Sequence, residues 1–228
     1  MLVKTQGIVI SYIRYRETSI IVRVFTRELG LRSYLVNSVR SSGKKTKMAF
    51  FQPLTLLDLV VYEKENAGIQ RISESKLGMS FHRIPFDFYR SGMAMFMSEI
   101  LGKSLIDNYQ NEPFFDFLAE AIALLDREDS PLAHFASSFL LESSKYLGFA
   151  PDNALSFFEE LQENMLQQMD FTEEIRYLEK LLDQPFCLDE KIAGSIRRNL
   201  LDHLLLFYSK HLDHQGEWKS IKVLRQMM

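Results

Sequence analysis

The residues of this chain that could do chemistry by charge are cations, and they crowd toward one end. Among the first fifty residues, ten lysines and arginines face only Glu17 and Glu28, a net charge of +8. The set singled out is Arg14, Arg16, Arg23, Arg27, Arg32, Arg40, Lys44, Lys45 and Lys47. A polyphosphate backbone carries single negative charges at regular spacing, and a basic surface that neutralises several of them releases their counterions. Tyr12, Tyr15 and Tyr34 are interleaved with the cations. Exposed aromatic rings among cations can stack on unpaired bases, although tyrosines in a strand also serve as ordinary core. On residue types alone, DNA, RNA and other anionic partners are equal candidates.

Covalent chemistry finds little support. There is no Walker phosphate loop, no dinucleotide-binding glycine fingerprint, no nucleophile elbow and no His-Glu-x-x-His pair. Glu159-Glu160 and Glu173-Glu174 are sequence neighbours on expected helices, so their carboxylates point in different directions. The single cysteine, Cys187, excludes an internal disulfide and a multi-cysteine zinc site, and reads as a buried or inert thiol. His211 and His214 stand three apart, yet no carboxylate or cysteine completes a metal set, so they read as a polar helix end. The expectation is a protein without catalytic residues, metal or cofactor.

The elements that must position the cations change character near residue 80. Gly7 to Ile13, Thr18 to Thr26, Leu31 to Val36, Leu54 to Tyr62 and Ile69 to Leu77 are short, β-branched or alternating runs. Turn residues separate them, and one longer basic connection runs from Asn37 to Pro53. Because alternate residues share a face, Arg14, Arg23 and Arg32 on three adjacent strands are expected to present one basic surface. Beyond about Pro85 the apolar spacing becomes helical: residues 87–105, a segment opened by Glu112-Pro113, Leu132 to a Gly148 stop, two short acidic helices in 152–182 with an N-cap near Thr172, and 190–213. Most of the phenylalanines there, including Phe86, Phe88, Phe96, Phe135 and Phe139, read as core. Residues 1–80 carry a net +7 and residues 81–228 a net −10 within an overall −3, which suggests two surfaces with different partners. The expected organisation is α+β: a five-stranded OB-type barrel over residues 1–80, then an all-helical domain over 81–228. No apolar stretch is long enough to span a bilayer, and no signal-peptide layout opens the chain, so the reading is cytoplasmic.

The order of residues now becomes informative. Thr5-Gln6-Gly7-Ile8-Val9, Glu17-Thr18-Ser19, Val24-Phe25-Thr26, Leu29-Gly30, the basic stretch Val39 to Lys47, and Phe51-Gln52-Pro53-Leu54 follow one another. In that order they resemble the N-terminal domain of the RecO family of bacterial recombination mediators. Ser91 to Leu101, Phe115 to Leu118, Tyr146 to Phe149, Arg197 to Tyr208 and Lys219 to Leu224 are similar to the family's helical part. The resemblance implies an OB barrel that binds single- and double-stranded DNA and anneals strands. It implies RecR and the C-terminal tail of single-stranded-DNA-binding protein as partners, with loading of RecA at gaps as the outcome. DNA-binding residues would come from Arg14, Arg16, Arg23, Arg27, Arg32, Tyr34, Arg40, Lys44, Lys45 and Lys47, and docking of the tail from Phe135, Phe139 and Lys145.

Three departures stand out. The family's four-cysteine zinc module has no counterpart in a chain with only Cys187. Arg16 and Ser38 replace family glycines, with loss of easy access to positive φ. Ser137 and Ser138 stand where relatives carry basic residues on the tail-docking helix. The rival readings are an OB-fold RNA binder, a protein-only adaptor whose barrel holds an acidic peptide, and a hydrolase with an unrecognised site.

Overall fold

The computed structural model of the chain describes residues 1–37, 39, 48–64, 68–162 and 170–227; Arg40, Lys44, Lys45 and Lys47 lie outside them. Two compact units divide the chain, Met1–Arg127 and Glu128–Met228. The change from strands to helices falls near residue 80 as expected, while the unit containing the strands runs on through two helices.

In the first unit, β1 (Leu2–Tyr15), β2 (Ser19–Thr26), β3 (Gly30–Val36), β4 (Leu56–Tyr62) and β5 (Gln70–Leu77) close a barrel in the order β1-β2-β3-β5-β4. All neighbours are antiparallel except β3 and β5, which join in parallel through only Tyr34–Gln70 and Leu35–Arg71. From Ile72 onward that side of β5 faces no strand among the described residues. β1 is twice as long as its apolar core suggested. It serves both β2 and β4 by bending at a bulge between Val9 and Ser11, which is how one strand turns a barrel corner. The interior is filled by Val9, Ile20, Val22, Val24, Tyr34, Leu57, Leu59 and Val61, the alternate residues of each strand. The turn between β2 and β3 needs Gly30, whose φ is 72° and whose Cα lies against the Tyr109 carbonyl, where a side chain would collide.

Two helices complete this unit. α1 (Phe88–Ser104) starts where Asp87 accepts a hydrogen bond from the Arg90 N–H, and α2 (Glu112–Asp126) where Asn111 accepts one from that of Phe114, with Pro113 in the first turn. Ser98 of α1 donates to the Ile10 carbonyl at the β1 bulge (2.7 Å), using an acceptor the bulge frees from the ladder. Arg90, 6% exposed, joins the helices by donating to the Leu125 and Arg127 carbonyls (3.0 and 2.7 Å) and pairing with Asp87. Burial pushes the Asp126 carboxyl up, but N–H groups of His82, Ile84 and Arg83 outweigh it and hold it below the usual carboxylate range. Phe86 and Phe88 are exposed rather than core: Phe86 precedes α1 and Phe88 is its first residue, ahead of the buried positions that begin at Arg90.

The second unit holds α3 (Leu132–Leu147), α4 (Ala154–Gln162), α5 (Thr172–Asp183), α6 (Gly194–His211) and α7 (Ile221–Met227). α3 stops at Gly148 with φ 85°, the left-handed cap anticipated from the sequence. The cap near Thr172 is supplied two residues earlier: the Asp170 carboxylate accepts from the Thr172 N–H and hydroxyl (2.9 and 2.6 Å). α6 begins four residues later than expected, at Gly194. The Glu190 and Ile192 carbonyls are taken by His134 and Arg197 (3.0 and 3.2 Å), and residues 188–193 stay outside the helix.

His134 is the polar centre of this unit. It is buried, with Nδ1 2.8 Å from the Tyr177 hydroxyl and Nε2 3.0 Å from the Glu190 carbonyl. A carbonyl can only accept, so Nε2 carries the proton and Nδ1 accepts from tyrosine, an arrangement that suits the neutral ring. Burial lowers its pKa, with the Arg197 charge adding to the effect. The unfolded chain takes up a proton at about pH 6.5, the folded one only at lower pH. Over that interval the unfolded state binds more protons, so acidification destabilises the fold. Thermal denaturation is therefore expected to show a lower Tm at pH 5.5 than at pH 7.5. In His134→Gln the Tm is expected to be lower at pH 7.5 and to fall less on acidification.

Candidate nucleic-acid interface

The register of β2 against β3 sorts the arginines. Val22 pairs with Tyr34, Arg23 with Ser33 and Val24 with Arg32. Opposite residues of an antiparallel pair share a face. Val22, Val24 and Tyr34 are core, so Arg32 falls on the core side of the ladder and Arg23 on the outside. The single basic surface expected of Arg14, Arg23 and Arg32 is therefore not formed; a one-residue difference in parity puts two of them on opposite faces.

Arg23, Arg27 and Arg32 each have intramolecular partners. Arg23 donates to the carbonyls of Gly102 and Leu105 (both 3.2 Å) and lies 3.5 Å from Asp107. It satisfies acceptors left open at the C-terminal end of α1, where a positive charge also complements the helix dipole. Arg27 grips both oxygens of Asp116 (2.8 and 2.9 Å) and reaches Glu112 (3.0 Å) at the start of α2. The bidentate hydrogen bond to Asp116 raises the Arg27 pKa, and the same contact lowers that of Asp116. Arg32 pairs with Glu63 (3.6 Å) and donates to Asn108. These three residues tie the barrel to the helices and to the connection between them.

Tyr34 needs a larger correction. Its ring is 0% exposed, packed among Val22, Val24 and Val61, and presents no face to a base. The alternation of β3 already allowed this: Tyr34 shares parity with Arg32, not with Leu35. Tyr12 is half-buried against the same core, while Tyr15 stands at the β1–β2 hairpin with the Arg16 guanidinium 5.2 Å above its ring. Arg16 has φ 52°. The turn thus keeps the left-handed conformation that glycine would adopt freely, and an arginine bears the strain.

Among the described residues, the N-terminal cations that form no ion pair are Lys4, Arg14, Arg16, Lys64, Arg71 and Lys76. Only Arg14 and Arg16 were in the set read from the sequence. Lys64 and Arg71 lie on either side of the β4–β5 connection, and the buried Gln70 side chain bonds both the N–H and the carbonyl of Lys64 (3.2 and 2.8 Å). The signal that could have found Arg71 is its parity: it lies one residue from the inward Gln70, on the same face as its pairing neighbours Leu35 and Tyr62.

The expected docking residues in the second unit also move. Phe135 and Phe139 are 0% exposed and build the core of α3, Phe135 edge-on to Phe186 at 5.0 Å. Ser137 and Ser138 are buried beside them, so this face of α3 is filled by its own unit. Lys145 is exposed and pairs with Glu142 (2.7 Å). Cys187 is exposed rather than buried. His211 stacks on Phe149 at 4.9 Å and lies 3.1 Å from Glu160, whereas His214 packs on Trp218, so the two rings serve different neighbours. No group of three metal-ligating side chains occurs among the described residues, and none of their helices is long and apolar enough to cross a membrane.

Comparison with known proteins gives the barrel and helices a common context. The family described as "Recombination protein O N terminal" matches residues 1–81, and "Recombination protein O C terminal" matches residues 85–154. The DNA repair protein RecO of Flavobacterium psychrophilum is 39% identical over 237 residues, covering 100% of this chain and 99% of that protein. The chain belongs to the RecO family. RecO of Flavobacterium johnsoniae is 36% identical over the same share of both chains, and RecO of Phocaeicola vulgatus 37% identical over 152 residues, 67% of this chain and 63% of that one. RecO proteins are DNA repair proteins, and the barrel followed by helices is the architecture this family assignment carries.

The strain at Arg16 gives a direct test of the hairpin geometry. Arg16→Gly is expected to raise stability by up to about 1 kcal/mol, since a non-glycine residue in this region costs roughly that amount. Arg23→Met is expected to lower stability by about 1–2 kcal/mol, because two helix-end carbonyls lose their donor. Urea denaturation of the three proteins checks both signs.

Proposed function

We propose that this RecO-family chain is a DNA-binding mediator of recombinational repair. In this reading it binds single- and double-stranded DNA, anneals complementary strands, and acts with RecR and the C-terminal tail of single-stranded-DNA-binding protein to load RecA at gaps. The barrel, residues 1–80, holds DNA; the helices of 81–228 dock proteins. It works in the cytoplasm and as a scaffold without a covalent step. The observation that carries the reading is a small closed barrel whose N-terminal cations divide into partnered and unpartnered sets, in a chain belonging to a family of DNA repair proteins.

Annealing asks for little beyond this. Two strands repel through their phosphates, and a surface that neutralises both lets base pairing proceed. Arg23, Arg27 and Arg32 are already satisfied by carbonyls and carboxylates, so phosphate binding falls to Arg14, Arg16 and the remaining free cations, with Arg40, Lys44, Lys45 and Lys47 in the basic connection. The acidic helical part discourages non-specific adhesion of the whole chain to nucleic acid. Family membership favours DNA over the RNA reading that residue types alone left open.

Fluorescence anisotropy of a labelled single-stranded oligonucleotide at two salt concentrations tests the proposal. Binding is expected to weaken steeply with salt whatever the base sequence. Replacing Lys44, Lys45 and Lys47 together by alanine should weaken binding equally for all sequences and flatten the logarithmic salt slope by about 2. Absence of binding at low salt would sink the reading.

A further inference from the structure

α1 shows water an apolar face. From Phe88 to Met97 its only charged residue is Arg90, which is buried and paired with Asp87. A helix that is apolar around its whole circumference is normally covered on every side. The side carrying Met93, Phe96, Met97 and Ile100 is covered, since all four are buried. The other side is not: Phe88 is 64% and Met95 57% exposed, and Phe86, just ahead of the helix, is 84% exposed. Phe88 and Met95 stand seven residues apart and so share one helix face. Beside that face, wholly within the first unit, lies a groove of about 610 Å³ whose walls include Leu77, Met79, Phe81, Ile84, Pro85 and Met95.

None of the described residues that line the groove is charged. An acidic or basic peptide finds no counter-charge there, so the surface does not select a charged partner. It holds instead an apolar groove and exposed rings side by side, and can therefore act as receptor and ligand at once. A two-fold interface needs this property, because the same patch appears on both sides and must complement itself. The area is sufficient. At 150–250 Å² for each aromatic side chain, the exposed parts of Phe86, Phe88 and Tyr89, with Met95 and Leu77, present roughly 500 Å² of apolar surface. A patch of that size on a monomer usually marks an interaction site. It supplies more than half of the ~800 Å² per partner of a standard interface, and interfaces between identical chains are the more apolar kind.

We propose that the exposed side of α1 and the adjoining groove are where two copies of this chain pair as a two-fold dimer. Phe86 and Phe88 of each copy seat in the groove of the other, beside Met95. The pairing does not depend on the DNA-binding reading above: a chain that bound no DNA would still pair.

Sedimentation velocity of the full chain over a rising series of concentrations reads the assembly directly. The average mass is expected to climb from the 26.6 kDa of one chain toward twice that value. Phe86→Ser combined with Phe88→Ser removes the rings and leaves the groove. Met95→Glu places a charge in the groove and leaves the rings. Each of these two variants alone is expected to raise the dimer dissociation constant roughly tenfold or more. Mixed together they should pair again in part, because the intact rings of one copy meet the intact groove of the other. All three side chains are exposed, so at dilutions where the parent is monomeric the variants should unfold at the parent's temperature, and pairing of the mixture shows independently that both fold. A parent that keeps the mass of one chain at every concentration overturns the proposal. So do variants that retain the parent's dissociation constant, and so does a mixture that fails to pair.

Discussion

Much of the first unit depends on the pairing of Val22 with Tyr34 across β2 and β3. With that pair turned inward, every second residue of β2 and β3 has its direction set. Arg23 must face outward, where the last carbonyls of α1 await a donor. Phe25 must face outward too, and the aromatic cluster with Tyr109, Phe114 and Phe115 follows. The helices are therefore held by the residues β2 cannot bury in the barrel. A slip of one residue would send Arg23 into an apolar interior and bring Tyr34 out. The cost of an unpaired buried charge, several kcal/mol even after relaxation, makes that alternative inaccessible.

The same parity separates two kinds of cation. Arginines that meet carbonyls and carboxylates give up freedom to form fixed, partly shielded contacts, and a phosphate could engage Arg27 only by displacing two carboxylates. Cations that face water stay free to neutralise phosphates, and release of the counterions condensed on the polyanion is what favours the association. A count of basic residues treats the two kinds alike. Their partners distinguish them, and partners are a property of the fold.

The architecture was readable in the chain to a considerable degree. The five strands, the Pro113 helix start and the Gly148 stop all announce themselves through local chemistry: alternation, a fixed φ, a residue without Cβ. What was hidden depended on long-range pairing. Tyr34 sits among arginines in sequence but shares its parity with the core. Phe135 and Phe139 look like a docking face until α5 and α6 are present to bury them. The late start of α6 goes with a contact from His134, about sixty residues away, whose Nε2–H donates to the Glu190 carbonyl. Arg71 was overlooked because the strand that carries it has unremarkable composition, and its meeting with Leu35 requires the barrel to close.

That closure is narrow. β3 and β5 are joined by two residue pairs, and beyond Arg71 one side of β5 is left without a neighbouring strand among the described residues. An open edge is a template on which another molecule of the same chain can add its own strand, the first step toward aggregation. β5 resists this through its residues: Glu74 and Lys76 are charged and exposed, and a bulge at Ser73, between the pairings of Glu74 with Val60 and of Ile72 with Val61, breaks the regular ladder. A charged, irregular margin keeps a protein whose barrel closes through only two residue pairs from polymerising through that edge.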